Sequence, residues 1–213
     1  MYMFRDSLPR VDGKVRFLHA IPDAQNVDIY ANGKLVYSNL PFGKITDYIS
    51  VAPGTYNVKI YKTGTMDKEL FSDSADITPN SIMTVAVTRQ NDQIGYFTID
   101  DSRIPESNPL LSFIRFINLS PTAPLLSLSL PNDIVLFNQV SYLGTNNYYP
   151  ISPGIYDFIV SSSDGNFNKY ISDVNLTKNI FITIYIIGFY NSSPPLGYIL
   201  VKDGEKQRNN EEL

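Results

Sequence analysis

Residues 15–30 read VRFLHAIPDAQNVDIY, and residues 114–129 read IRFINLSPTAPLLSLS. The second string is a worn copy of the first at an offset of 99 residues. In the first, Val15 and Phe17 alternate with Arg16 and Leu18, the period-two pattern of a strand. Pro22 ends that strand because proline cannot donate to a ladder, and Asp23 suits an Asx turn. Val27 and Ile29 alternate with Asp28 and Tyr30, and Asn32-Gly33 then supplies the dipeptide preferred in two-residue hairpin turns.

Working outward, the same offset recurs through the chain. Tyr48 matches Tyr148, and Pro53-Gly54-Thr55-Tyr56 matches Pro153-Gly154-Ile155-Tyr156. Thr78-Pro79-Asn80 matches Thr177-Lys178-Asn179, and Gly95-Tyr96 matches Gly197-Tyr198. No stretch has a sustained helical period. Short strands at turn-punctuated spacing predict an all-β protein of two tandem immunoglobulin-like β-sandwich domains. The expected divisions are an arm over 1–13, domain one over 14–100, a polar linker over 101–111, a diverged domain two over 112–202 and a disordered tail over 203–213. The prolines of the linker favour a restricted, end-to-end placement of the domains.

Bulk composition narrows the function. A net charge of −4 opposes a phosphate-driven nucleic-acid binder, and zero cysteines exclude disulfides and thiolate metal sites. The longest apolar run, residues 180–190, is too short for a membrane-spanning helix. The opening residues MYMFRDSLPR have no apolar core and do not read as a secretory signal. Synthesis in the cytoplasm without signal-directed export is therefore expected.

The opening string VRFLHAIPDAQNVDIY and the later Pro53-Gly54-Thr55-Tyr56 turn resemble a bacterial family of domains of unassigned function with a Val-Arg-x-x-His-Ala-x-Pro-Asp-Ala-x-x-Val-Asp-x-Tyr opening. The resemblance covers about residues 14–100 well and 113–201 more loosely. It implies an envelope-associated β-sandwich module and supplies no catalytic residue. The second copy departs from the pattern, with Asn118 in place of His19, Thr122 in place of Asp23 and Ser127 in place of Asp28.

His19, Asp23 and Asp28 are the one grouping that suggests chemistry, a general base with an orienting acid as in a hydrolase. The structural alternative has Asp23 capping a turn and His19 hydrogen-bonded at a strand end. Asp73 with Asp76, and Asp100 with Asp101, offer oxygens to calcium but lack the spacing of a binding loop, so solvated surface acids are the expectation. Fifteen tyrosines include Tyr142, Tyr148, Tyr149, Tyr185, Tyr190 and Tyr198 in the second half, where exposed rings can stack on sugars or proteins.

Residues 180–187, IFITIYII, break the alternation and place apolar groups on both faces of a strand. Phe181, Ile182, Ile184 and Ile186, with Tyr148 and Tyr149, are the expected interaction surface, covered by domain one or by a second copy. No catalytic, metal or cofactor site is expected. Taken together the sequence predicts a non-enzyme, a structural or adhesive module of a Gram-positive cell or spore surface that self-associates or binds a protein partner. A glycan- or peptide-binding module is the alternative reading, and a hydrolase using His19 the third.

Overall fold

The computed structural model describes residues 11–90, 93–102 and 108–204. The expected arm, the middle of the linker and the tail lie almost wholly outside these residues; Asp203, expected as the start of a disordered tail, is instead buried and paired with Arg16. All regular structure among the described residues is β, in sixteen strands. The first eight are β1 (Gly13–His19), β2 (Val27–Ala31), β3 (Lys34–Leu40), β4 (Ile49–Val51), β5 (Gly54–Lys62), β6 (Glu69–Ile77), β7 (Ile82–Gln90) and β8 (Gln93–Asp100). The next eight are β9 (Ser112–Asn118), β10 (Leu126–Ser129), β11 (Val135–Val140), β12 (Tyr149–Ile151), β13 (Gly154–Ser162), β14 (Asn168–Leu176), β15 (Phe181–Ile187) and β16 (Gly197–Lys202).

They form two sandwich-like domains, each of four strands on four. In the first, sheet β4-β1-β7-β8 faces sheet β3-β2-β5-β6; in the second, β12-β9-β15-β16 faces β11-β10-β13-β14. The two orders correspond strand for strand. In both, the first strand runs parallel to the seventh, with Phe17 opposite Val85 and Phe116 opposite Ile184. The Asn32-Gly33 turn joins β2 to β3 as the dipeptide requires, both residues having positive φ. Ahead of β4, Ile45 makes an isolated bridge to Leu18.

Alternation fills the cores. Val15 and Phe17 of β1 point into the first sandwich beside Val27, Ile29 and Ile60. Ile114 and Phe116 of β9 point into the second, beside Leu128, Phe158, Ile182, Ile184 and Ile186. The opposite faces of these strands are also dry. Leu18, Ala86 and Ile99 of the first sandwich pack against Ile117, Tyr185 and Ile187 of the second. The sandwiches therefore meet sheet to sheet, through the faces of β1, β7 and β8 and of β9, β15 and β16, giving four layers. This corrects the end-to-end expectation: polar linker residues do not keep domains apart when both central sheets carry an apolar outer face.

The face assignment in β15 is corrected with it. Ile182, Ile184 and Ile186 belong to the core of their own sandwich and are at most 2% exposed, so they form no interaction surface. The outer set is Phe181, Thr183, Tyr185 and Ile187, one residue out of step. Among the described residues no helix is long and apolar enough to cross a membrane.

Candidate functional site

Arg16 in β1 and Arg115 in β9 project from the outer faces of the two central sheets, where an apolar neighbour would be the ordinary choice. Each guanidinium is fixed first by its own sandwich. Arg16 Nε donates to Thr84 Oγ1 of β7 at 2.7 Å, and Arg115 Nε donates to Thr183 Oγ1 of β15 at 2.9 Å. Each lies over a tyrosine ring of its own sandwich, Arg16 4.5 Å from the centre of Tyr48 and Arg115 4.4 Å from that of Tyr148.

The remaining donors cross to the other sandwich. Arg16 donates to Asp203 Oδ1, just past β16, and to the carbonyl of Lys202, the last residue of that strand. Arg115 donates to Asp101 Oδ1 at 2.5 Å and to the carbonyl of Asp100, at the end of β8. Each carboxylate turns its other oxygen to its own sandwich. Asp101 Oδ2 accepts from Thr84 and from the Tyr48 hydroxyl, and Asp203 Oδ2 accepts from Thr183 and from the Tyr148 hydroxyl. The second arginine stands near each carboxylate as well, at 3.4 Å from Arg16 to Asp101 and 3.6 Å from Arg115 to Asp203. The cluster is thus a charge-neutral quartet with approximate two-fold symmetry.

Burial sets its electrostatics. Asp101 and Asp203 side chains are inaccessible to solvent, and the arginines nearly so. Burial holds the Asp203 carboxyl above its usual range, reinforced by neighbouring Asp101, while the two arginines oppose the rise. Both arginines sit above their ordinary value: burial lowers them, and the carboxylates and tyrosines around them more than compensate. Tyr48 and Tyr148 are raised by burial first and then by the facing aspartates. No member is left with a poised nucleophile or a free proton donor, so the arrangement clamps rather than reacts. The expectation of a solvated surface acid at Asp101 is corrected, because the Arg115 guanidinium gives it a buried partner.

The three residues singled out as candidate catalysts do not converge. His19 is fully buried; its Nδ1 accepts from the Ile21 N–H at 3.3 Å and its Nε2 donates to the Gln25 carbonyl at 3.1 Å. Burial pushes the imidazole below its usual value, and the bond to Gln25 opposes that only in part. Asp23 pairs on the surface with Arg89 at 2.7 Å. Asp28 accepts from the N–H groups of Asn39 and Gly64 and from the Thr63 hydroxyl. Burial is the largest single influence and raises it, and the three donors together outweigh burial and lower it.

The second sandwich repeats these jobs with other side chains. Asn118, in the place of His19, accepts from the Ser120 N–H through Oδ1 and donates to the Val140 carbonyl through Nδ2. Ser127, in the place of Asp28, accepts from the Gln139 N–H as Asp28 does from Asn39. Asn39 and Gln139 both have left-handed φ, near 56° and 52°. A role that passes from His to Asn and from Asp to Ser is a hydrogen-bonding role.

The family model described as "Domain of unknown function (DUF4397)" matches residues 13–129, more than half of the chain. The chain belongs to the DUF4397 family. The match begins with β1 and ends with β10, so the DUF4397 model covers the first sandwich and the first two strands of the second. No curated protein matches the sequence. Among solved structures the chain is similar to a carbohydrate-binding module of family CBM26 from Eubacterium rectale Amy13K in complex with maltoheptaose. The identity is 10% and the TM-score 0.30, over 91% of this chain and 98% of that one. Likeness at that level bears on neither the fold nor the ligand of the DUF4397 chain.

The other candidates fall apart in space. Asp73 accepts from the neighbouring Ser74 N–H and Asp76 from Thr55. No group of three or more metal-capable side chains occurs among the described residues. Tyr142 bridges to the backbone of Arg89 across the domain junction. Tyr148 and Tyr185 are buried in the junction, and Tyr190 donates to Asp164. Tyr149, Tyr170 and Tyr198 keep exposed rings. Sequence reasoning missed Arg16 and Arg115 as a site. The available signal was an arginine inside an apolar strand in both halves of this DUF4397 chain, each half also holding a tyrosine, Tyr48 or Tyr148, and an aspartate just past its last strand, Asp101 or Asp203.

Proposed function

We propose that this chain is a non-catalytic structural or adhesive module of a bacterial cell or spore surface, working as one rigid block of two sandwiches. The Arg16–Asp203 and Arg115–Asp101 quartet carries this reading. It commits the buried charges to joining the sandwiches, and it fixes the directions in which their outer sheets face. His19, Asp23 and Asp28 support it by serving separate local roles. The envelope setting is what the resemblance of the opening string implies. Antibody detection in fractions of sporulating and vegetative cells is the test. Protein in the surface layers is the expected result, and protein confined to the vegetative cytosol overturns it.

A glycan- or peptide-binding module is the second reading, favoured by the outer face of β13 and β14. There Ile155 is 71% and Tyr170 62% exposed, an open aromatic ring with an aliphatic side chain on the same face. Such a surface suits the apolar face of a sugar ring or an extended peptide. A glycan array with Tyr170→Ala as the control decides it.

A further inference from the structure

The clamp is symmetric, but what surrounds it is not. Beside Arg16 and Tyr48 a cavity of about 350 Å³ opens between the sandwiches, within the size range of small-molecule sites. Lys14 of the first sandwich and Lys178 and Lys202 of the second line it, with one exposed acid, Asp47. The corresponding positions around Arg115 are Phe113, Pro79 and Asp100, with Asn147 in the place of Asp47. On that side Phe113 is buried and stacks on Phe181 with ring centres 4.4 Å apart, and Tyr148 is buried where Tyr48 is half-exposed.

This comparison is a control within one molecule. The Arg–Asp–Thr–Tyr clamp forms equally well without a lysine, so the three lysines are not required by the junction. Lys178 and Lys202 are exposed and have no ion-pair partner among the described residues. Among the described residues that line the cavity, with Arg16 and Asp203 neutralising each other, three ammonium groups stand against one exposed carboxylate, a surplus of two positive charges. Arg16 is committed to Thr84, Lys202 and Asp203, so no planar guanidinium fork remains for bidentate grip on a carboxylate. Ammonium groups from separate strands and turns act as point charges and suit a tetrahedral dianion better.

From this we infer that the cavity between the sandwiches beside Tyr48 is a binding site for a phosphate group, held by Lys14, Lys178 and Lys202. The phosphate belongs either to a small phosphomonoester or to a phosphate-bearing polymer. The inference does not depend on where the protein resides.

The test is titration of the full chain with inorganic phosphate, a hexose phosphate and polyphosphate at matched ionic strength, with acetate as control. Calorimetry gives the affinity and amide chemical shifts give the place. Saturable binding at one site is expected, with shifts at residues 46–50, 177–181 and 202–204 and none at 78–82 or 146–150. Tighter binding of the hexose phosphate assigns a phosphomonoester, and tighter binding of polyphosphate assigns a polymer. The variant Lys178→Gln/Lys202→Gln, which leaves the clamp intact, binds about tenfold more weakly because two partly screened attractions are lost. The site is overturned by an equal response to acetate, by absence of saturation, by shifts spread over both sides of the junction, or by undiminished binding in the variant. Should the variant misfold, the wild-type shift map alone decides.

Discussion

Arg16, near the start of the chain, donates to Asp203, 187 residues further on and near its end. The bond ties the first strand of one sandwich to the residue that follows the last strand of the other. Its mate, Arg115 to Asp101, ties the halves in the opposite sense. Buried pairs of this kind add little net stability over apolar replacements, but removing one partner strands a charge in a dry site. Arg16→Ala or Asp203→Ala is therefore expected to cost about 3–5 kcal/mol in denaturant unfolding. Arg16→Met with Asp203→Leu costs far less than the sum of its single changes. An additive double-mutant cycle sinks the clamp.

His19 and Asn118 hold the same place in the two sandwiches, so the first tolerates the second's side chain. His19→Asn keeps an acceptor for the Ile21 N–H and costs under about 1 kcal/mol. His19→Leu leaves the buried Ile21 N–H without its acceptor, at roughly 1–3 kcal/mol, and removes the donor to the Gln25 carbonyl. If the two variants are equally unstable, the shared role fails.

The same residue makes stability depend on pH. Burial lowers the folded imidazole below its unfolded value of 6.5. The unfolded chain then binds the proton more readily, so stability from this group is complete above 6.5 and is lost as pH falls toward the folded pKa. Chemical denaturation from pH 7.5 downward should show wild type losing stability in that window at a slope that His19→Asn removes. Parallel pH profiles for the two proteins count against it.

The strands, the Asn32-Gly33 hairpin and the two sandwiches were legible because turn chemistry and period-two burial are local. The partner of the IFITIYII run was not. Alternation shows that residues 180–187 bury both faces, yet not which face meets the core of its own sandwich, and the assignment slipped by one residue. The clamp was harder still. An arginine in an apolar strand reads as a solvated exception until its carboxylate, far away in sequence, is brought beside it by the meeting of two sheets. Asp101 read as a linker acid for the same reason.

The junction also couples unfolding. Ile117 is fully buried among Leu18, Ala86 and Tyr185, outside either sandwich core. Ile117→Glu places a carboxylate there without a partner, which costs several kcal/mol unless the group stays protonated or the sheets part. Calorimetry should resolve one transition in wild type and two in the variant, with an unchanged β signal in circular dichroism. One transition at an unaltered midpoint rules out the junction as the cooperative link.

Finally, Ala86 and Tyr185 occupy equivalent positions in the two sandwiches, yet one is small and the other large. The Tyr185 ring is fully buried at the junction and its hydroxyl lies 3.5 Å from Thr84 Oγ1. Burial raises that hydroxyl's pKa, with the aspartates adding to the rise against the arginines. Two tyrosines would crowd the space between the sheets and two alanines would leave a void. Tyr185→Ala should cost about 3–5 kcal/mol, by analogy with other large aromatics cut to alanine. Ala86→Tyr alone should cost about 1–3 kcal/mol through overpacking. Because the quartet is nearly symmetric, exchanging the two recovers part of both losses, and the double variant is more stable than additivity allows. Equilibrium unfolding of the four proteins measures that coupling. A coupling energy of zero means that the ring and the alanine do not share one space across the junction.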